Sequence, residues 1–275
     1  MLILRNKTVP LVSVILSVYK TCTHHLHSAI ESVINQDYSN IEFIIIDDGT
    51  NAANRRIIRQ FQNRDNRIAV IKNYRNIGLT RSLNVGLQSA NGKYLSRIDA
   101  DDLWQREKLS KQIAYLEKNR DCYIVGTMYN EIDNKGNIIF HLQRVPFVQS
   151  DDAIRNAIFK CNPFFHSSVV FRREILDSVG YYNESFIFAQ DYELWMRIIS
   201  KYKGYNIPEV LASRRITEKM ISIKNEKWQR YYAIKCKIKA RKLLKISFPM
   251  YKYILNDVAI IVLPRYLKKF VGKKN

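Results

Sequence analysis

Two apolar runs thirty residues apart constrain the fold of this chain more than any other feature. "LVSVILSV" (11–18) and "IEFIIIDD" (41–48) are short, rich in β-branched residues, and end abruptly in polar ones. Such runs read as buried strands. The first follows Arg5 and Lys7, much as an apolar core follows the basic start of a secretory signal. It ends in Tyr19-Lys20 rather than at a small-residue cleavage site, so the strand reading is preferred. Between the two runs, "HSAIESVINQ" puts Ala29, Ile30, Val33 and Ile34 on one helical face. The alternation continues with a helix at 53–62, a strand at 67–72, a helix at 80–90 stopped by Asn91-Gly92, and a strand at 93–98. This order predicts an α/β fold with a mostly parallel central sheet flanked by helices. In such sheets ligands bind beyond the carboxyl ends of the strands. "IDD" (46–48) and "IDADD" (98–102) both fall at such ends.

Downstream, 106–119 reads as a helix. "YIVGTMYNEI" and "NIIFHL" flank Asp133-Asn134-Lys135-Gly136, a hairpin signal. Helices are expected at 151–160 and 190–200, and a strand at 167–173. A chain of 275 residues with 47% hydrophobic residues can bury a full core. Its four cysteines show no paired spacing, which predicts reduced thiols in a cytosolic setting.

The formal charge of +20 is uneven. Residues 223–275 hold fifteen Lys and Arg against two acids, a net +13. The expected organisation is therefore a body at 1–222 and a basic, amphipathic helical tail at 223–275. Within the tail, "MYKYILNDVAIIVLP" (250–264) is apolar but broken by Asn256-Asp257, and it is shorter than the ~20 residues a spanning helix needs. Contact with an anionic membrane surface is the expected use of the tail. No nucleic-acid module accompanies the lysines, so no nucleic-acid partner is expected.

Asp102 precedes a predicted helix and reads as a cap or turn former. Asp99 and Asp101 are two apart and can converge on one cation. Hard ions such as Mg²⁺ or Mn²⁺ bind through one or two carboxylates plus substrate phosphates. No P-loop or GxGxxG glycine pattern is present. His24, His25 and His27 read as a solvated helix start rather than a zinc site. Trp104 and Trp195 read as core or cleft wall.

Five ordered stretches, "PLVSVILSVYK", "SAIESVINQDYSNIEFIIIDDGT", "NIGLTRSLNVGLQSANGKYLSRIDADD", "NPFFHSSVVFRRE" and "FAQDYELWMRI", resemble the inverting family 2 glycosyltransferases of the glycosyltransferase-A fold, in particular bacterial enzymes of surface-polysaccharide synthesis. The resemblance covers about 10–222. It implies a nucleotide-sugar half at about 10–105 and an acceptor half at 106–222. It further implies that Tyr19 lies beside the base and Asp48 at the nucleoside, with Asp47 structural. Arg81 would lie near the diphosphate. Asp99 would touch ribose or metal, Asp101 would ligate the metal, and Asp191 would be the catalytic base. His166 and Gln190 would lie on the acceptor side. The implied cofactor is Mn²⁺ or Mg²⁺. The implied partners are a nucleotide-sugar donor, by family preference a UDP-sugar, and a saccharide acceptor carried on a lipid. The implied location is cytoplasmic, peripheral at the inner face of the plasma membrane.

Several positions depart from the family pattern. Ser17 and Lys20 replace the proline and asparagine at the end of the first strand, and Gln190 replaces a glutamate. In "RITEKMIS" (215–222), Arg215 and Ser222 are kept but Thr217 stands where a histidine is common. A sugar-phosphate nucleotidyltransferase would need a glycine-rich basic signature after the first strand, which "SVYKTCTHH" lacks. An inactive surface-binding protein on the same fold is disfavoured by the retained Asp99, Asp101 and Asp191.

Overall fold

The computed structural model describes residues 9–143, 146–217 and 225–244, with positions 254, 255, 257, 258 and 261. Ser222 and most of the apolar stretch at 250–264 lie outside the described residues. The first half follows the predicted alternation: β1 (Val12–Val18), α1 (Thr23–Ile34), β2 (Ile41–Asp47), α2 (Ala52–Arg64), β3 (Ile68–Lys72), α3 (Leu79–Ser89) and β4 (Tyr94–Arg97). Then come β5 (Leu103–Trp104), α4 (Lys108–Lys118), β6 (Cys122–Ile132), β7 (Ile138–Phe140), α5 (Asp151–Ala157), β8 (Val170–Arg172), α6 (Leu176–Val179), α7 (Gln190–Lys201), β9 (Lys203–Arg215) and α8 (Glu226–Leu244).

Among the described residues the sheet runs β3-β2-β1-β4-β8-β6-β9-β5, with β7 paired to β6. The strands β3, β2, β1 and β4 are parallel, as the β-α-β alternation requires. The "mostly parallel" expectation fails in the second half. β8 enters antiparallel to β4 and β6, β5 is antiparallel to β9, and only β6 and β9 run parallel. The sheet is mixed because β8, which follows a short 3-10 turn (His166–Ser168), runs against both of its neighbours.

β1 alternates its burial between two cores. Val12, Val14, Leu16 and Val18 meet the apolar stripes of α1, α2 and α4, while Ile15 faces Leu83 and Leu87 of α3 and the core around α7. Both faces are covered, which is why the strands read as continuous apolar runs. Each fully buried Leu or Ile contributes roughly 1.5–3 kcal/mol. The β6–β7 hairpin closes as predicted. Gly136 takes φ 92°, and the Asp133 amide donates to the Asn137 carbonyl at 2.9 Å.

Two expectations need correction. Asp102 does not cap α4: β5 intervenes, and the helix starts after Glu107 with no side-chain cap. His25 is not solvated. It is buried on α1, its Nε2 lies 3.0 Å from the Asn134 carbonyl oxygen, and burial lowers its pKa. The start of the basic tail packs on the body: α8 lies against α7, and Cys236 belongs to the second core. The four cysteines are all free thiols, and Trp104 and Trp195 are both buried.

Candidate active site

The carboxyl ends of β1 and β2 meet where the Asp48 amide donates to the Val18 carbonyl at 3.0 Å. Asp47 is structural, as expected: Oδ1 accepts the amides of Gly49 and Thr50, and Oδ2 accepts Arg55 Nε at 2.8 Å. Asp48, expected at the nucleoside, is held by the loop that precedes α3. It is 1% exposed. Its Oδ1 accepts Asn73 Nδ2 and the Ile77 amide, and its Oδ2 accepts Asn76 Nδ2 and the Gly78 amide, at 2.7–3.1 Å. A carboxylate has about four lone-pair sites, so Asp48 is fully engaged in holding the loop that starts α3. Gly78, at φ 89°, makes that loop possible.

At the end of β4 the three aspartates diverge in role. Buried Arg97 pairs with Asp99, whose amide donates to Ser167 Oγ at 3.0 Å. Burial alone would raise the Asp99 pKa, but the Arg97 guanidinium holds it at about 2. Asp101 is pushed up to about 6, first by burial and then by the charge of Asp99. Asp102 is raised well above the usual range by burial and by both neighbours. Its Oδ2 accepts Ser167 Oγ at 2.5 Å and its Oδ1 accepts the Arg215 amide at 3.0 Å. Arg215 also donates Nε to the Asp101 carbonyl at 2.8 Å. Asp102 thus ties the turn to the end of β9.

Asp191 lies in the first turn of α7 and accepts Asn162 Nδ2 at 2.8 Å. Burial raises its pKa against the opposing pull of the Tyr192 amide, Arg97 and Asn162. His166 is packed: Nε2 lies 2.8 Å from Tyr182 Oη, its ring meets Trp195 edge-on, and burial keeps it neutral.

Asp99, Asp101, His166, Gln190 and Asp191 all line one cleft of about 590 Å³, with Asn162, Arg214, Arg215, Phe164, Phe165 and Phe188. That volume suits a small-molecule site. Tyr19 and Arg81 are not on its wall. Tyr19 is partly exposed past β1, and Arg81 pairs at the surface with Glu184 at 3.3 Å. Asn162 and Ser167 were not singled out from the sequence, although both sit inside the quoted "NPFFHSS" stretch.

The donor set suits a divalent cation. Among the described residues no group of three His, Cys, Asp or Glu could hold a metal alone. Asp99 and Asp101 nevertheless offer adjacent hard oxygens at the cleft, where burial and then the charge of Asp99 raise the Asp101 pKa and a cation would favour its ionised form. Phosphate oxygens and water normally complete such a shell.

A family model described as "Glycosyl transferase family 2" matches residues 13–180. An uncharacterized glycosyltransferase of Methanocaldococcus jannaschii is 35% identical over 85% of this chain and 81% of its own length. The putative glycosyltransferase EpsE of Bacillus subtilis is 31% identical over 95% of each chain. The Escherichia coli WfaP, named as a UDP-Glc:α-D-GlcNAc-diphosphoundecaprenol β-1,3-glucosyltransferase, is 34% identical over 70% of this chain and 71% of its own. Among solved structures, the mannosyltransferase PcManGT of Pyrobaculum calidifontis with GDP-Man and Mn²⁺ superposes with a TM-score of 0.66 at 17% identity, covering 97% of this chain and 74% of that one. S. aureus TarS (1–349) with UDP-GlcNAc gives 0.66 at 16%, covering 96% and 76%.

Proposed function

This chain belongs to glycosyl transferase family 2, and from that premise we propose that it is an inverting transferase moving a sugar from a nucleotide diphosphate to a saccharide acceptor. The carrying observation is that the acidic pair Asp99/Asp101 and the buried carboxylate Asp191 share one cleft. In this reading the donor is a UDP-sugar and the acceptor a lipid-linked saccharide of surface-polysaccharide synthesis, supported by WfaP, which is named for transfer from UDP-Glc to a diphosphoundecaprenol-linked GlcNAc.

Asp191 takes the proton of the acceptor hydroxyl as its oxygen attacks the anomeric carbon. The bond from that carbon to the phosphate oxygen breaks, and its electron pair leaves on the nucleoside diphosphate. One displacement inverts the centre and needs no covalent enzyme intermediate. The raised pKa of Asp191 makes it a stronger base than an exposed aspartate. A Mn²⁺ or Mg²⁺ ion, when bound, supplies neutralisation of charge on the leaving diphosphate. Asp101, with Asp99, would hold it. Asn162 orients Asp191, while Asp102 and Ser167 fix the acidic turn.

The outward face of α8 supports a membrane partner. Trp228, Tyr231 and Ile238 are exposed at helical spacing, interleaved with Lys227 and Lys235. No described helix is long and apolar enough to cross a membrane. The proposed placement is peripheral, on the cytoplasmic face.

Asp191→Asn tests the assignment. Transfer should fall roughly 10²–10⁴-fold, with nucleotide-sugar binding by calorimetry unchanged; near-normal turnover would sink it. Asp101→Ala should abolish Mn²⁺-dependent donor hydrolysis.

A further inference from the structure

We propose that helix α8 is a positioning element of the transfer site, holding the Ala189 turn from which Asp191 enters the cleft; this rests on Asp191 being the base. Ala189 is the one non-glycine residue with positive φ among the described residues, at φ 53° and ψ 26°. It sits at the N-cap position of α7 and offers no side-chain cap. A left-handed alanine persists only where its surroundings over-determine it.

Those surroundings come from α8. The Cys236 thiol, fully buried, donates to the Ala189 carbonyl at 3.8 Å. Lys239 pairs with Glu193, a buried carboxylate in the same first turn as Asp191. The Tyr232 ring meets Phe186 edge-on at 5.6 Å and Phe188 at 6.0 Å. The 186–189 segment therefore lies between α8 and the cleft, and Phe188 and Ala189 line the cleft directly. The family match ends at residue 180, so both α7 and α8 lie beyond it.

A base is effective only in a fixed near-attack geometry, and a displacement of about 1 Å can cost 10²-fold. The test uses the full chain carrying Tyr232→Ala with Lys239→Ala, beside the conservative pair Tyr232→Phe with Lys239→Arg. The alanine pair should lower kcat roughly 10–100-fold, leaving donor KM and nucleotide affinity unchanged. The acid limb of its kcat–pH profile should move down, because water reaching Asp191 relieves the burial. The titratable and charged groups around Asp191 are Arg97, Asp99, Tyr182, Tyr192 and Cys236, none of them altered, and Glu193 in the same turn, which keeps Arg197 as a partner at 2.8 Å when Lys239 is removed. The conservative pair should restore both kcat and the limb. Wild-type kcat in the alanine pair, or parallel loss of kcat and donor affinity, overturns the proposal if Asp191→Asn is inactive. An active Asp191→Asn overturns the base assignment and the proposal together.

Discussion

Asp191 takes its side-chain hydrogen bond from Asn162, and that bond favours the ionised form. Asn162→Leu should therefore raise the Asp191 pKa further and lower kcat. With Asp191 as the proposed base, transfer needs the carboxylate ionised, so activity falls as pH falls through that pKa. The acid limb in a kcat–pH series should move to higher pH in the variant. Lys108 gives a second, separate prediction. Its side chain is fully buried on α4, with Nζ 3.4 Å from Ser96 Oγ and 3.8 Å from the centre of the Trp104 ring. Burial drives its pKa well below the usual value. The unfolded chain then binds the extra proton, so stability rises with pH from the depressed folded pKa toward the unfolded value near 10.4, by up to about 1.4 kcal/mol per pH unit. Urea melts at pH 7, 8 and 9 should show that slope, and Lys108→Met should flatten it.

At the scale of elements, the 3-10 turn His166–Ser168 carries more than its length suggests. The Ser167 hydroxyl accepts the Asp99 amide and donates to Asp102, and the Ser167 carbonyl accepts Trp104 Nε1 at 2.6 Å. Ser167→Ala should weaken divalent-metal affinity about 10–100-fold, read by Mn²⁺ titration of donor hydrolysis; unchanged affinity would remove Ser167 from the site. The sequence showed β1 to β4 because their runs are buried on both faces and separated by amphipathic helices. It did not show β5, which is two residues long, or β9. Pro208 lies inside β9, where the pairing jumps from Thr127–Ile207 to Met128–Val210; a proline mid-run argues against a strand. Strand direction was equally hidden, because the apolar run at β8 reads like those of the parallel strands β1 to β4. Within the site, Asp99, Asp101 and Asp191 were legible. The engagement of Asp48 was not, since its partners Asn73, Asn76, Ile77 and Gly78 lie 25–30 residues away.

For the whole molecule, the charge has two destinations. Lys237 and Arg230 are spent internally on Asp257, while Lys227 and Lys235 remain on the exposed face of α8. The full chain should sediment with vesicles containing anionic phospholipid and be released by 1 M salt, where the screening length falls to about 3 Å. Lys227→Glu should weaken that binding and leave transfer to a soluble acceptor intact. Recovery of the chain wholly in the supernatant would count against the membrane contact. Finally, the bond from the Arg215 amide to Asp102 spans 113 positions of sequence. Chains emerge from the ribosome amino end first, and distant pairings form slowly. The β1–β4 half can therefore collapse early in synthesis, but its acidic turn stays untied until β9 has emerged. A nascent chain halted before residue 203 should be compact yet unable to retain a nucleotide sugar.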